Sequence, residues 1–226
     1  MTTYVLVHGA WHGPWAWDRV VPLLHAAGAR TLTPDLTTGG DHGLHDDAKT
    51  VVTALDQVED DVVLVGHSYA GLVVREAADA RPDRVRHLVL VDGWAGPDGK
   101  SLVDLAPDAF GTAVRAAADA RGLIPAPAPA QFGITEPDDA TWLAARLVPQ
   151  PLRVFTEPTH LTGAVDRVPG TAVCCLPETY PFAAFGAAVG YRVRTLESPH
   201  DAPLARPEPL ARVLLDLQEG EAPALQ

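Results

Sequence analysis

The chain has 226 residues, 47% apolar and 20% charged, with a net charge of −12. That length suits one domain with a sizeable core, needing no metal or disulfide to hold it together. An acidic balance without a basic run excludes a phosphate-tracking face, so no nucleic-acid partner is expected.

No apolar stretch approaches the ~18 residues of a membrane span. Met1-Thr2-Thr3-Tyr4 enters a strand pattern at once, with no basic and apolar leader before it, so the expected location is cytoplasmic. The two cysteines, Cys174 and Cys175, are adjacent in an apolar run. Neither has a His or Asp at ligand spacing, so they read as core packing and no metal site is expected.

Strand and helix patterns then alternate along the chain. Tyr4 to His8 is a short apolar run ending in His-Gly. Trp17, Val20, Val21 and Leu24 recur at helical spacing, and Gly28 stops that helix. Arg30 to Thr33 reads as a strand, and Val51, Val52, Leu55 and Val58 as a helix face. Asp61 to Val65 reads as a strand, continuously apolar from Val62, the kind buried on both faces of a parallel sheet. A helix follows from Ala70 to Ala80, then a strand from Val85 to Val91.

Beyond Asp92 the rhythm breaks. Residues 96–166 hold helical pieces and a Pro-Ala segment, with no clear strand. The stretch is too long for an ordinary connection. It is expected to be a helical cap, inserted in a core made of residues 1–95 and 167–226. Thr171 to Cys175, Phe182 to Val189 and Tyr191 to Thr195 continue the alternation. A last helix carries Leu210, Val213, Leu214 and Leu217 on one face. The expected fold is α/β: a mostly parallel sheet of about six strands, flanked by helices with right-handed crossovers.

The most informative segment is Val62-Val63-Leu64-Val65-Gly66-His67-Ser68-Tyr69-Ala70-Gly71. An apolar strand runs into a turn of small residues and then a helix. A nucleophilic Ser needs this arrangement, because the tight turn lifts its hydroxyl clear of the sheet. The pattern departs from Gly-x-Ser-x-Gly at Ala70. Ser68 is therefore the candidate nucleophile. The Gly-rich loop His8-Gly9-Ala10-Trp11-His12-Gly13 follows the first strand. Such a loop can offer one N–H to a developing oxyanion, while the residue after the nucleophile offers another. Ala10 and Tyr69 are the expected donors, and His8 is expected to shape the loop.

Ser198-Pro199-His200 lies between the last strand and the last helix, where a general base belongs in the order Ser, acid, His. Glu178 is the first carboxylate after the strand at Thr171 to Cys175 and is the expected acid. Asp92, at the end of the preceding strand, is the alternative. Trp11, Phe110, Trp142 and Phe155 are the candidate pocket walls.

These motifs together resemble the α/β-hydrolase superfamily. Within it they resemble the plant methylesterase and hydroxynitrile lyase group with its bacterial esterase relatives. The resemblance is sharp at the His8 to Trp17 loop, the Gly66 to Gly71 turn and Ser198-Pro199-His200. It implies an acid three residues past a strand Cys, where Cys175-Leu176-Pro177-Glu178 keeps the spacing with Glu. The lyases carry Thr where Gly9 stands and Lys where Asp201 stands, so the resemblance favours ester hydrolysis over cyanohydrin cleavage. Branches of the fold with an Asp nucleophile are excluded by Ser68.

The reading is a serine carboxylic ester hydrolase working through an acyl-enzyme on a small, largely apolar ester, a methyl ester or lactone. No cofactor is expected, and the chain is expected to be a monomer or homodimer. Two alternatives stay open. One is a natural-product tailoring enzyme using the same triad for cyclisation, lactonisation or C–C cleavage. The other is a non-catalytic small-ligand receptor.

Overall fold

The computed structural model describes residues 2–36 and 41–219. Strands β1 (Thr2–Val7), β2 (Arg30–Leu32), β3 (Asp61–His67) and β4 (Val85–Val91) form in the first half of the chain. Helices α1 (Val21–Ala26), α2 (Leu44–Asp56) and α3 (Ala70–Ala80) connect them. Between residues 96 and 166 lie α4 (Leu102–Leu105), α5 (Asp108–Ala117), β5 (Leu123–Ile124), α6 (Pro137–Ala144), β6 (Gln150–Pro151) and α7 (Arg153–Thr156). The chain then returns through β7 (Gly170–Leu176), α8 (Phe182–Ala188), β8 (Arg192–Glu197), α9 (Ala202–Ala205) and α10 (Pro207–Glu219).

Six strands make one sheet in the order β2-β1-β3-β4-β7-β8. Every neighbouring pair is parallel. Successive side chains alternate between its faces, and each face has its own core. Val5, Val7, Leu64, Leu88 and Leu90 pack with α2, α3 and α8 through Leu55, Val73 and Phe182. Leu6, Val63, Val65, Val89 and Val91 pack with α1 and α10 through Leu24, Leu210 and Leu214. Each such fully buried side chain contributes about 1.5–3 kcal/mol. Both faces are covered, which explains the unbroken apolar run of β3.

The chain passes from β1 outward to β2 and then back to β3 on the other side of β1. The strand order therefore reverses beside β1. Ligands bind in such a crevice, beyond the carboxyl ends of the strands.

Two expectations change. The single helix read over Trp17 to Leu24 is a 3₁₀ turn at Pro14–Trp17 followed by α1. Trp17, Val20 and Leu24 are still buried along it. Residues 96–166, read as strand-free, contain the antiparallel pair β5 and β6. Each strand has two residues, too short to leave a periodic signature. The inserted stretch is tied to the sheet side at the end of α3. There Asp79 accepts from the N–H of Thr162 at 2.7 Å and of Val165 at 2.9 Å.

Cys174 and Cys175 are free and buried, one in each core. Burial pushes the Cys174 thiol up to about 12 and the Cys175 thiol further in the same direction. The thiolate is the reactive form. The native protein should therefore show no thiol titre with Ellman's reagent at pH 8, and 2 thiols per chain after denaturation. Rapid native labelling would contradict this packing.

Candidate active site

The turn that carries Ser68 joins β3 to α3. Ser68 sits at φ +54°, in the left-handed region that non-glycine residues avoid. The turn is held from three sides. The Ser68 N–H donates to Val91 O at 3.1 Å, and Ser68 O accepts from Gly71 N at 3.0 Å and Trp94 N at 3.1 Å. The steric demand of the motif falls on its two glycines. A Cβ on Gly66 would lie 2.6 Å from Ala70 O, and one on Gly71 would lie 2.4 Å from Trp94 O. Position 70 carries a fully buried methyl without conflict, so the departure from Gly-x-Ser-x-Gly is sterically harmless.

His200 stands on the loop after β8. Its Nε2 is 2.9 Å from Ser68 Oγ, and its Nδ1 is 2.7 Å from Asp92 Oδ2. A carboxylate only accepts, so the ring proton resides on Nδ1 and the Nε2 lone pair faces the Ser68 hydroxyl. Asp92 is wholly buried. Its second oxygen accepts from Cys175 N–H at 2.8 Å. Asp92 also has a positive φ, +44°. Phe182 stacks on the imidazole at 5.5 Å with planes 15° apart. The N–H of His67 donates to the His200 carbonyl at 2.9 Å. Burial, and then the neighbouring His200, lower the His67 pKa to about 3. His67 is thus a neutral, single-proton strut beneath the loop.

The expected partner of His200, Glu178, is corrected by this geometry. Glu178 is exposed beyond the end of β7, and its carboxylate accepts from Ala183 N–H at 3.3 Å at the head of α8. The position against the imidazole belongs to Asp92, the alternative. From Leu176 to Thr179 the chain is exposed. The end of β4, by contrast, lies between β3, which precedes Ser68, and β7.

The loop after β1 closes as a turn, with His12 N–H donating to Gly9 O at 3.3 Å. Its third residue, Trp11, has φ +64°. His8 donates from Nδ1 to Gly9 O at 2.9 Å and accepts Leu36 N–H at Nε2. Burial lowers its pKa to about 4, so it is a neutral brace. Ala10 and Tyr69 line the same cavity as Ser68 and His200. Among the described residues, neither backbone N–H has a protein acceptor outside helices and strands. The Tyr69 hydroxyl donates to Asp47 Oδ2 at 2.7 Å, and Asp47 Oδ1 meets His42 Nδ1 at 2.7 Å. Sequence reasoning missed Asp47, His42 and His67. Only His67, inside the nucleophile motif, carried a positional signal.

The cavity measures about 330 Å³ and is walled by Trp11, Trp94, Phe110, Phe132, Phe155 and Tyr180. Among the described residues, no Lys, Arg, Asp or Glu lines it. Trp11, Phe110 and Phe155 are among these walls, and Trp142 is not. It packs against Trp15 at 5.4 Å, with the Arg146 guanidinium 4.2 Å from its ring centroid. It packs where α6 meets the loop after β1 and does not line the cavity.

Residues 4–213 match a family model described as the alpha/beta hydrolase family. A carbendazim hydrolyzing esterase from Nocardioides sp. (strain SG-4G) is 31% identical over 241 residues, covering 96% of this chain and 100% of that protein. Methylesterase 9 of Arabidopsis thaliana is 39% identical over 104 residues, 42% of this chain and 41% of its own. An extracellular alpha/beta-hydrolase from a Paenibacillus species superposes with a TM-score of 0.86. It is 21% identical, and the match covers 96% of this chain and 98% of that one.

Close approach of α3 to the backbone after β4 predicts the effect of one methyl group. Gly71→Ala should destabilise the protein by about 1–3 kcal/mol through overpacking against Trp94, read as a lowered melting temperature. An unchanged melting temperature would contradict the close approach.

Proposed function

This chain belongs to the alpha/beta hydrolase family and is an esterase-type hydrolase, and on that premise we propose a serine acyl-enzyme mechanism for it. The observation that carries the proposal is the line of contacts from Ser68 Oγ to His200 at 2.9 Å and from His200 to Asp92 at 2.7 Å.

Ser68 Oγ attacks the ester carbonyl carbon, and its proton passes to His200 Nε2. The carbonyl π electrons move onto oxygen, where the N–H groups of Ala10 and Tyr69 stabilise the charge. The intermediate collapses with cleavage of the C–O bond to the alcohol. His200 returns the proton to the departing alkoxide, and the acyl-enzyme remains. Water then attacks that ester, losing a proton to His200, and collapse releases the carboxylic acid and restores the Ser68 hydroxyl. Asp92 holds the imidazole tautomer and stabilises the imidazolium formed in each half.

The uncharged, aromatic cavity supports a small, largely apolar ester, with methyl esters and lactones as the leading classes. The names of the relatives, a carbendazim hydrolyzing esterase and a methylesterase, support the same reaction class. Residues 96–166 act as the cap in this reading, supplying Leu102, Phe110, Phe132 and Phe155 to the cavity wall.

The test is hydrolysis of p-nitrophenyl acetate together with fluorophosphonate labelling. Ser68→Ala should abolish both. Asp92→Asn should lower kcat by about 10⁴-fold, the size seen when a triad Asp becomes Asn in a serine protease. Glu178→Ala should stay within about twofold, as an exposed residue away from the reacting atoms. Full activity in Asp92→Asn with loss in Glu178→Ala would overturn the acid assignment.

A further inference from the structure

A second His–Asp pair lies behind the loop after β1. His12 Nδ1 is 2.9 Å from the Ala10 carbonyl oxygen, and its Nε2 is 3.2 Å from Asp201 Oδ2. Both side chains are 1% exposed. A carbonyl and a carboxylate are both acceptors, so both imidazole nitrogens must donate. His12 is therefore an imidazolium, and the pair is a buried ion pair. The aromatic rings of Trp15 at 5.3 Å and Phe132 at 5.0 Å enclose it.

Asp201 directly follows His200. Its own N–H donates to the Phe132 carbonyl at 3.2 Å, and its carbonyl accepts from Leu204 N–H and Ala205 N–H in α9. One buried pair thus joins the loop after β1, the loop after β8 and the inserted stretch. A buried ion pair is a poor source of stability, because the desolvation cost offsets the attraction. Its geometry accounts for it better. The Ala10 carbonyl belongs to the central peptide of the Gly9–His12 turn. That turn has a positive φ at its third residue, a place that normally takes Gly. Here it is Trp11. Relaxing the strain means rotating the Ala10–Trp11 peptide, and this would break the bond to His12.

We propose that the buried His12–Asp201 pair is the positioning element of the oxyanion loop. It holds the Ala10–Trp11 peptide in its left-handed turn, aims the Ala10 N–H at the reacting oxygen, and keeps Trp11 in the cavity wall against Phe155. The proposal rests on the reading of Ala10 as an oxyanion donor in a serine esterase. Neither His12 nor Asp201 lines the cavity, so both act through other residues.

The test compares full-length wild type with His12→Ala, His12→Asn and Asp201→Asn. The readouts are kcat and KM for p-nitrophenyl acetate, the rate of Ser68 labelling by a fluorophosphonate, and the melting temperature. Labelling needs no turnover, yet it still draws a developing oxyanion into the same loop. His12→Ala should lower kcat and the labelling rate by about 10²-fold, the loss expected for one oxyanion donor. KM should change by less than about threefold, since the lost interaction forms only in the transition state. His12→Asn keeps an amide N–H for the Ala10 carbonyl without the ion pair. It should recover to within about tenfold of wild type even if it melts earlier, which a purely structural role would not produce.

Asp201→Asn reports on the pair if His12→Ala fails to fold, and it should slow labelling without changing KM. Wild-type kcat and labelling in His12→Ala or in Asp201→Asn would overturn the proposal. So would a His12→Asn variant that melts like wild type yet is as slow as His12→Ala. A wild-type protein that neither turns over ester nor labels at Ser68 would instead sink the esterase reading itself, and the proposal with it.

Discussion

Left-handed backbone at the carboxyl edge of the sheet is the constraint on which the site depends. Trp11 follows β1, Ser68 follows β3 and Asp92 follows β4, and these are the non-glycine residues with positive φ among the described ones. Each such conformation costs about 1–3 kcal/mol and persists only where its surroundings over-determine it. They do so here. Three adjacent strands are fixed in register by parallel ladders and by cores on both faces. The turns beyond them are cross-linked, Ser68 N to Val91 O, Trp94 N to Ser68 O and Asp92 N to Val173 O. The sheet's rigidity is thereby converted into fixed positions for a hydroxyl, a carboxylate and a loop of N–H groups.

The histidines at this edge show how partners assign roles to one residue type. His8 and His67 are buried and neutral, each donating a single proton to a carbonyl. His12 lies between two acceptors and is charged. Asp201 raises its pKa against the opposing effect of burial. His200 has an acceptor on one side and a hydroxyl on the other, which leaves it one free lone pair. Only this last arrangement can take a proton from Ser68 and give it back. The overall charge of −12 has no part in this. Local acceptors decide each state, and among the described residues the cavity itself is lined by no acidic or basic side chain other than His200.

The parallel sheet, the turn that carries Ser68 and the placement of His200 beside it were legible because their demands are local. An apolar strand, a small-residue turn and a helix must be contiguous, and Gly66 and Gly71 carry the steric requirement within the motif. The acid was not legible because it is a question of which strand end points at the imidazole. Spacing after β7 favoured Glu178, but no sequence pattern reveals that the chain from Leu176 to Thr179 lies exposed. The available signal was Asp92 itself, a carboxylate closing the apolar run Leu88-Val89-Leu90-Val91, where burial demands a hydrogen-bonding partner. Trp142 was misplaced because the inserted stretch has short helices with no sustained periodicity to orient a side chain. The His12–Asp201 pair joins residues 189 apart in the chain, and neither neighbourhood names the other.

A crystal structure of the protein with a phosphonate bonded to Ser68 tests the central claim most directly. The account predicts a P–O bond to Ser68 Oγ. The phosphoryl oxygen should lie about 3 Å from the N–H groups of both Ala10 and Tyr69. His200 should still rest on Asp92. A phosphoryl oxygen turned away from those two N–H groups, or an imidazole that leaves Asp92 for Glu178, would contradict it.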